Sequence, residues 1–507
     1  MTAVSVIRTG TANLASVLAA LSRAGVEARV TDDPRDAESA ERVVLPGVGS
    51  FGAAMHALNA RNLAGPLRRR ILEGRPTLAI CLGLQLLAES SDECPGVRGL
   101  GVIPARVTRF PASVRVPQLG WNRVAAGPDC RTLDSGFAYY ANSYRLEAPP
   151  RGWACATTDH AGPFVGALER ARVLACQFHP ELSGPWGRAL IERWLNSGHR
   201  TDESSRTYTP DQPPPSVLPR VIPCLDVRDG RIVKGVRFAN LRDAGDPAER
   251  AALYEQQGAD EIVILDVSAT PEGRRTAAET VRRVRAVLSI PLTVGGGIRA
   301  PDDAARLLDA GADKVSVNTA AVENPPLIAS LAERFGVQCT VLAIDAARRQ
   351  NAESTEGDRR ERGEGTGGGG SDSEPESHSA PSAFLSASSV FSWEVVTRSG
   401  THRAGLDAVA WAKRACELGA GEVLLTSFDR DGTREGYDLD LLRAVAAAVP
   451  VPVIASGGAD TPEHLKHALD AGADAVLAAS IFHDGNHTVG GVKRALAALG
   501  VALRPAD

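Results

Sequence analysis

The sequence lacks the features that mark a disulfide-stabilised, zinc-stabilised or membrane-spanning protein. None of its eight cysteines forms a pair separated by two residues or lies near a histidine at zinc-binding spacing, so we expect neither a disulfide framework nor a structural metal. The N-terminus has no basic segment followed by a long apolar stretch, and the longest apolar run, residues 444–455, is interrupted by prolines. These absences predict a soluble cytoplasmic protein whose cysteines are mostly buried small hydrophobic residues.

Basic charge is not in excess either. Lysine and arginine total 56 against 61 aspartates and glutamates, which gives a formal net charge of -5. Without a general basic surface, nucleic acid is not an expected partner, and any anionic ligand must be held by local groups. The 507 residues exceed what one hydrophobic core usually supports, so we expect two or three domains.

Two polar stretches divide the chain. Residues 198–218 are rich in proline and almost free of aliphatic side chains, which is typical of a semi-rigid linker. Residues 348–390 are low in complexity and should be disordered, because they offer too little apolar surface to offset the entropy of ordering. The predicted organisation is one domain at 1–197 and a second at 219–507 that contains this insert.

The second domain has the pattern of a closed α/β barrel. Eight short apolar segments alternate with helix-like segments, and of 289 residues 246 remain once the 43 of the insert are left out. A (β/α)8 TIM barrel has roughly 250 residues. An internal repeat, in which CLDV recurs as AIDA and GGG recurs as SGG, predicts two similar halves, with the insert directly after the fifth strand.

Two carboxylates should face each other at the mouth of this barrel. Asp226 ends the first predicted strand and Asp345 ends the fifth, and the active sites of such barrels lie at the carboxyl ends of the strands. Two separated carboxyl groups can serve as acid and base in one reaction. The alternative is that each aspartate caps the turn or helix that follows it.

Glycine-rich loops after the third and seventh strands indicate what binds there. Such loops leave backbone N–H groups free near a helix start, where an anion is favoured. Their duplication predicts two phosphate sites and a substrate phosphorylated at both ends. The candidate residues are Gly295, Gly296, Gly297, Asn318 and Thr319 in the first half and Ser456, Gly457, Gly458, Ala479 and Ser480 in the second.

Further charged residues lie at and below this mouth. Lys234, in the loop after Asp226, is a candidate for holding a phosphate or a carbonyl, with a solvated lysine as the alternative. Four strands open on a charged residue, and a ring of two cations and two anions would close the barrel floor if these side chains face the axis. The alternative is a set of surface ion pairs. The four residues are Arg220, Glu261, Lys314 and Glu422.

These stretches resemble the cyclase half of the imidazole glycerol phosphate synthase family of histidine biosynthesis, and the likeness covers 219–507 except the insert. It is carried by CLDVRDGRIVKG, VGGGIR, ADKVSVNTAAV, VLAIDA, LLTSFDRDGTREGYD and ASGG. The resemblance implies that Asp226 and Asp345 are the general acid and base and that the four floor residues form a gate for ammonia. It also implies that Asp431 and Gly432 belong to the second phosphate site.

The first domain carries a different kind of site. In PTLAICLGLQLL an apolar strand runs into Cys81 and continues as a helix, an elbow that exposes the sulfur and favours its negative charge at the helix N-terminus. His179 and Glu181 end a later strand, where the histidine can take a proton and the glutamate can orient the imidazole. The alternative for Cys81 is an ordinary core residue.

A glycine-containing loop, PGVGSFG, follows another predicted strand of this domain. The backbone N–H groups of Gly47, Gly49 and Leu82 are candidates for holding a developing oxyanion. His160 and His199 have no comparable setting and are expected at the surface.

Residues 1–197 resemble the class I glutamine amidotransferases, in particular the glutaminase partner of the same synthase family. The likeness is carried by GTANLAS, PGVGSFG, CLGLQ, LGWN and QFHPELSG. It implies a flavodoxin-like domain with a mixed sheet, in which Cys81 attacks the side-chain amide of glutamine and forms a glutamyl thioester. Two departures are visible: Asn142 stands where relatives often have a histidine, and IRTG lacks the aspartate that commonly precedes the glycine motif.

Together the halves predict one bifunctional enzyme that needs no cofactor or metal. Its expected partners are glutamine, a bisphosphorylated formimino aminoimidazole carboxamide ribonucleotide and the interface between its own domains, with neither nucleic acid nor a membrane. Three alternatives remain open: a barrel of the related aldose-ketose isomerase type, a silent regulatory first domain, and a glutaminase that serves another acceptor.

Overall fold

The computed structural model describes residues 3–9, 14–47, 49–196, 217–236, 239–269, 276–349, 392–483, 485 and 487–506, and of residues 234–242 it describes at most the backbone. The predicted linker at 198–218 lies outside the described residues except for its last two positions. The predicted disordered insert at 348–390 lies outside them except for its first two. Both therefore stay predictions.

The first domain alternates strands with helices up to residue 87 and then becomes rich in strands. Its strands are β1 (Ala3–Ile7), β2 (Glu27–Thr31), β3 (Arg42–Leu45), β4 (Thr77–Ile80), β5 (Ala88–Ser91), β6 (Ile103–Arg109), β7 (Gln118–Ala126), β8 (Gly136–Asn142), β9 (Tyr144–Arg145), β10 (Ala154–Asp159), β11 (Pro163–Arg170) and β12 (Val173–Cys176). Its helices are α1 (Leu14–Arg23), α2 (Pro34–Ser39), α3 (Phe51–Ala60), α4 (Ala64–Leu72), α5 (Leu82–Gln85) and α6 (Gly184–Leu195).

A mixed sheet organises these elements, as predicted. Among the described residues its order is β2-β1-β3-β4-β12-β11-β10-β7-β8, with parallel pairing from β2 to β12 and antiparallel pairing beyond. The central strands RVVL, TLAI and VLAC are buried along their whole length, because helices cover both faces of a parallel sheet. Hydrophobic clusters on the two faces include Leu45 and Leu168 on one and Val44 and Leu174 on the other.

The second domain consists of the predicted alternation and two additional hairpins. Its strands are β13 (Arg220–Arg228), β14 (Arg231–Val236), β15 (Ala239–Gly245), β16 (Ile262–Asp266), β17 (Leu292–Gly295), β18 (Lys314–Val317), β19 (Thr340–Arg348), β20 (Trp393–Thr397), β21 (His402–Asp407), β22 (Glu422–Ser427), β23 (Val453–Ser456) and β24 (Ala475–Ala478). Its helices are α7 (Pro247–Gln256), α8 (Ala278–Val287), α9 (Pro301–Ala310), α10 (Thr319–Glu323), α11 (Pro326–Phe335), α12 (Ala408–Glu417), α13 (Leu439–Ala448), α14 (Pro462–Asp470), α15 (Ser480–His483) and α16 (Val489–Ala498).

Eight parallel strands close into a barrel, which confirms the predicted fold. The order is β13-β16-β17-β18-β19-β22-β23-β24, and β24 pairs with β13 through Arg220–Ala475 and the following residues. Because side chains alternate along a strand, Arg220, Ile222, Cys224 and Asp226 share the face of β13 that points to the barrel axis. Ile222 and Cys224 belong to the small cluster that fills the axis. This alternation places a charge at the floor and a carboxylate at the mouth of one strand.

The hairpins β14–β15 and β20–β21 are duplicated as well. Each follows a strand that carries a candidate carboxylate near its end and pairs with that strand antiparallel, at Arg228–Arg231 in the first half and at Arg348–Trp393 in the second. In the first half a short turn at Asp229 and Gly230 joins the two strands. In the second half the undescribed residues 350–391 occupy the equivalent connection.

We expect deletion of residues 352–386 to leave the thermal unfolding midpoint nearly unchanged. The two ends of this connection are held as neighbours by β19 and β20, so a short loop can replace it without moving either strand. Differential scanning calorimetry of the deletion variant and the full chain measures the effect. A large drop in the midpoint would show that the deleted residues pack against the barrel.

The first domain lies against the floor of the barrel. Trp121 donates its indole N–H to the backbone oxygen of Asp260 at 2.9 Å, and Ser16 donates its hydroxyl to Asp313 at 2.6 Å. Arg115 forms an ion pair with Asp474. The three aspartates precede β16, β18 and β24, so the contacts lie at the amino ends of the strands, opposite the mouth.

Candidate active sites and the barrel floor

Cys81 sits at a sharp elbow between β4 and α5. Its backbone has φ 50° and ψ -106°, a conformation that a non-glycine residue adopts only when its surroundings impose it. Its N–H donates to the oxygen of Cys176 at 2.7 Å, which ties the elbow to β12. The elbow also needs Gly83, because a Cβ at that position would lie 2.3 Å from the carbonyl oxygen of Leu45.

His179 and Glu181 complete a buried triad arrangement with Cys81. Nδ1 of His179 lies 2.8 Å from Oε1 of Glu181, and both side chains are almost fully buried. Burial opposes the charged imidazolium, but the negative charges of Cys81 and Glu181 and hydrogen bonds to both outweigh it, so the pKa of His179 is raised well above its ordinary value. The arrangement can hold a thiolate and an imidazolium side by side.

Two glutamines belong to this site although sequence reasoning missed them. Gln177 Nε2 lies 3.6 Å from the sulfur of Cys81, and Gln85 Nε2 lies 3.2 Å from Oε1 of Gln177. Both residues stand inside the motifs CLGLQ and QFHPELSG. Their position inside these motifs could have indicated them. No sequence periodicity or spacing, however, predicts which atoms a buried side-chain amide contacts.

The loop with the predicted oxyanion donors packs on the elbow. A Cβ at Gly47 would lie 2.3 Å from the nitrogen of Gly83 and 2.5 Å from Cβ of Leu82, so the backbone at Gly47 touches the start of α5. Gly49 has φ 102°, which favours glycine. The structure thus brings Gly47 and Leu82 together, while Val48 lies outside the described residues.

One of the two predictions for histidines outside the triad is wrong. His160 was expected at the surface, but it is buried, with Nε2 3.2 Å from the oxygen of Arg115 and its ring 4.8 Å, edge-on, from that of Phe110. The turn between β10 and β11 folds its ring inward, which the sequence pattern of a polar turn does not indicate. His199 lies outside the described residues. Asn142, the departure noted above, is buried and donates to the oxygen of Tyr144 at 3.0 Å.

The barrel mouth contains a cavity of about 950 Å³ whose lining includes both candidate carboxylates. Burial raises the pKa of Asp226 to about 7, and the neighbouring carboxylate of Asp431 adds to the rise. Burial and Asp431 likewise raise the pKa of Asp345 to about 7, against hydrogen bonds from Asn318 and Thr426. Near neutral pH each group can hold or release a proton, as an acid and a base must.

The candidate phosphate residues line the same cavity in two sets. Gly296 and Gly297 have φ 102° and 64°, and Gly457 and Gly458 have φ 92° and 95°, conformations that favour glycine, and all four residues line the cavity. The short helices α10 and α15 begin at Thr319 and Ser480 beside the two glycine loops. The further lining residues predicted from the sequence are Gly295, Asn318, Asp431, Gly432, Ser456 and Ala479.

Three arginines also line this cavity and were not predicted. They are Arg299, Arg398 and Arg434. Ion pairs of Arg398 with Glu323 at 2.8 Å and of Arg434 with Asp460 at 3.8 Å offset part of their positive charge, and the rest favours an anionic ligand at the mouth. Lys234 lies in β14, but its side chain is outside what the structure describes.

The barrel floor is closed by a ring of four buried charges. Arg220 contacts Glu261 at 2.7 Å and also Glu422, and Lys314 contacts Glu261 at 2.7 Å and Glu422 at 2.6 Å. All four side chains are inaccessible or nearly so, which excludes the alternative of surface pairs. Burial opposes ionisation of Glu261, but Lys314 and Arg220 hold the pKa of its carboxyl below the ordinary value. These contacts therefore favour the ionised form of Glu261.

Tyr139 connects this floor to the triad. Its backbone oxygen accepts a hydrogen bond from the N–H of His179 at 2.9 Å. Burial raises the pKa of its phenol well above the ordinary value, and the carboxylate of Glu261 contributes to the rise while Arg220 opposes it. The charges of the floor ring thus act on the phenol of the residue whose backbone pairs with the triad histidine.

Comparison with known proteins agrees with the division of the chain into a first domain and a barrel. Residues 220–488 match the family described as histidine biosynthesis protein, and residues 6–196 match class-I glutamine amidotransferase. The chain is 53% identical over 287 residues to the imidazole glycerol phosphate synthase subunit HisF of Methanopyrus kandleri, which covers 56% of this chain and 97% of that protein. It is 52% identical over 285 residues to the subunit of the same name from Mycobacterium tuberculosis, and the match covers 56% of this chain and 94% of that protein.

Proposed function

The chain belongs to the histidine biosynthesis protein family, and from this premise we propose that it is a fused glutamine amidotransferase and cyclase with the activity of imidazole glycerol phosphate synthase. Glutamine is hydrolysed in the first domain. The ammonia then reacts in the barrel with the bisphosphorylated formimino aminoimidazole carboxamide ribonucleotide. The products are imidazole glycerol phosphate and aminoimidazole carboxamide ribonucleotide.

Glutamine hydrolysis starts from the Cys81 thiolate beside protonated His179. The sulfur attacks the side-chain amide carbon, and the oxygen that gains charge is held by backbone N–H groups, with Gly47, Gly49 and Leu82 as the candidates. His179 gives its proton to the departing nitrogen, which leaves as ammonia. Water, deprotonated by His179, then hydrolyses the thioester and releases glutamate. Glu181, at 2.8 Å from Nδ1, keeps the imidazole oriented through both steps.

Cyclisation needs proton transfer at both sides of the bound ribonucleotide. Asp226 and Asp345 lie at the ends of β13 and β19, and a pKa of about 7 lets one carboxyl act as acid while the other acts as base. The two glycine loops are the candidate holders of the two terminal phosphates. The substrate would then span the mouth above both carboxyls, with the arginines of the rim adding positive charge.

Transfer of ammonia through the floor joins the two reactions. Free ammonia is mostly ammonium at neutral pH, so a reaction that needs neutral ammonia gains from a closed route. An apolar floor would be at least as stable as four buried charges, and their presence therefore suggests a role other than stability. A ring of ion pairs on the axis of the barrel suits a gate, because rotation of one side chain opens it.

One observation carries this proposal: the first domain covers the floor of the barrel, on the side opposite the mouth, where Trp121 donates to the backbone oxygen of Asp260 and Ser16 donates to Asp313. Steady-state assays of the purified chain with the bisphosphate substrate, supplied with glutamine or with ammonium salts, test it. Both nitrogen sources should support product formation. An isomerase-type barrel would instead consume no ammonia, and a silent first domain would use ammonium alone.

A further inference from the structure

We propose that Gln177 is a positioning residue for the nucleophile, whose side-chain N–H donates to the sulfur of Cys81 and stabilises its thiolate. This inference rests on the proposed glutaminase function and adds a residue to it. Gln177 directly follows β12 and is fully buried, so water cannot take the place of its hydrogen-bond partners.

The orientation of the Gln177 amide follows from its neighbours. Gln85 Nε2 lies 3.0 Å from the backbone oxygen of Tyr144, and a carbonyl oxygen only accepts, so the Gln85 atom there must be the nitrogen. The same nitrogen has a second N–H and lies 3.2 Å from the side-chain oxygen of Gln177. The nitrogen of Gln177 must then be the atom that lies 3.6 Å from the sulfur of Cys81.

The two protonation states of the sulfur use different partners. A thiol can donate to the backbone oxygen of Ala141, which lies 4.0 Å from the sulfur. A thiolate cannot donate, and it gains from the N–H of Gln177 because a hydrogen bond to a charged form favours that form. Gln177 therefore shifts the balance toward the reactive species and holds the sulfur in place next to His179.

Replacing the donor should raise the pH at which Cys81 becomes reactive. For Gln177→Leu we expect the midpoint of iodoacetamide alkylation of Cys81, followed by mass spectrometry of its peptide, to rise by about one pH unit. At pH values below the wild-type midpoint the alkylation rate and glutamine-dependent kcat should fall about tenfold. Gln177→Met, which also lacks the N–H but has a flexible side chain, should give the same shift even if the leucine variant folds poorly.

Gln118→Leu is the matched control. Gln118 is a buried glutamine of the same domain, and within the described parts of the chain its amide has no hydrogen-bond partner. Its replacement should leave the alkylation midpoint of Cys81 unchanged. Ammonia-dependent cyclisation should stay at the wild-type rate in all three variants, which verifies that the barrel is intact, and an unchanged thermal unfolding midpoint verifies that the first domain is folded.

The outcomes separate this inference from the function on which it rests. An unchanged alkylation midpoint in folded Gln177→Leu or Gln177→Met would overturn the role of Gln177, whatever the rate with glutamine. A fall in glutamine-dependent kcat without a shift of the midpoint would indicate a purely structural role and would also overturn it. Glutamine-dependent turnover that survives removal of the Cys81 thiol would instead overturn the proposed function.

Discussion

Cys81→Ala is expected to abolish glutamine-dependent turnover while leaving ammonia-dependent cyclisation intact. The substitution removes the sulfur that must form the thioester, so the glutamine-dependent rate should fall by at least about 10⁴-fold. The barrel is not altered, because Cys81 lies at the elbow between β4 and α5 and contacts β12 of its own domain. Product formation with glutamine and with ammonium salts, measured on the same preparation, gives both rates.

One result would contradict this division of labour between the two domains. If Cys81→Ala lost both activities while it remained folded, the two reactions would not be separable in the way the structure suggests. Cys176, buried in the neighbouring strand, provides a control position. Cys176→Ala removes a thiol from the same core but keeps the backbone oxygen that accepts a hydrogen bond from the N–H of Cys81, so glutamine-dependent turnover should persist.

Asp226→Asn is expected to stop cyclisation with either nitrogen source. The amide keeps the size of the side chain but can neither give up nor accept the proton, and general acid-base catalysis contributes about 10²- to 10⁴-fold to a rate. Both the glutamine-dependent and the ammonia-dependent rate should therefore fall within this range. An unchanged rate would exclude a catalytic role for Asp226.

The stability of the same variant distinguishes lost catalysis from misfolding. The pKa of Asp226 rises from 3.8 to about 7 on folding, so its contribution to stability is fully present below the unfolded value and is lost as the pH rises through the folded value. At about pH 8 the ionised carboxylate disfavours the folded state. The thermal midpoint of Asp226→Asn should thus equal or exceed that of the wild type there, and the gain should vanish in acid.

The barrel could be predicted because its signals are local and repeated. Each strand is a short apolar run, several of these runs end at glycine or aspartate, and the duplication of CLDV as AIDA is enough to place both carboxylates at the mouth. The hairpins β14–β15 and β20–β21 escaped prediction. In the second half residues 350–391 separate β20–β21 from β19, the strand on which the hairpin pairs, so the sequence does not show the two next to each other.

The first domain was less predictable in its details. The elbow, the histidine and the glutamate follow from motifs, since each chemical role requires that residue type at that place. The contacts of Gln85 and Gln177, and the burial of His160, depend on which turns fold inward, and the sequence pattern carries no such information. The direction of the charged side chains at the strand starts was ambiguous for a similar reason. Alternation along β13 shows that Arg220 faces the barrel axis, but this can be deduced only when the bounds of the strand are known.

Isotope transfer tests the central claim, covered passage of ammonia from Cys81 to the barrel mouth, most directly. The chain is supplied with glutamine labelled with 15N in its side-chain amide, in a medium containing unlabelled ammonium at a concentration too low to sustain the Cys81→Ala variant. The account predicts that the imidazole ring of the product carries undiluted 15N. Dilution of the label to the isotope ratio of the medium would contradict it, because ammonia would then leave the protein before it reacts.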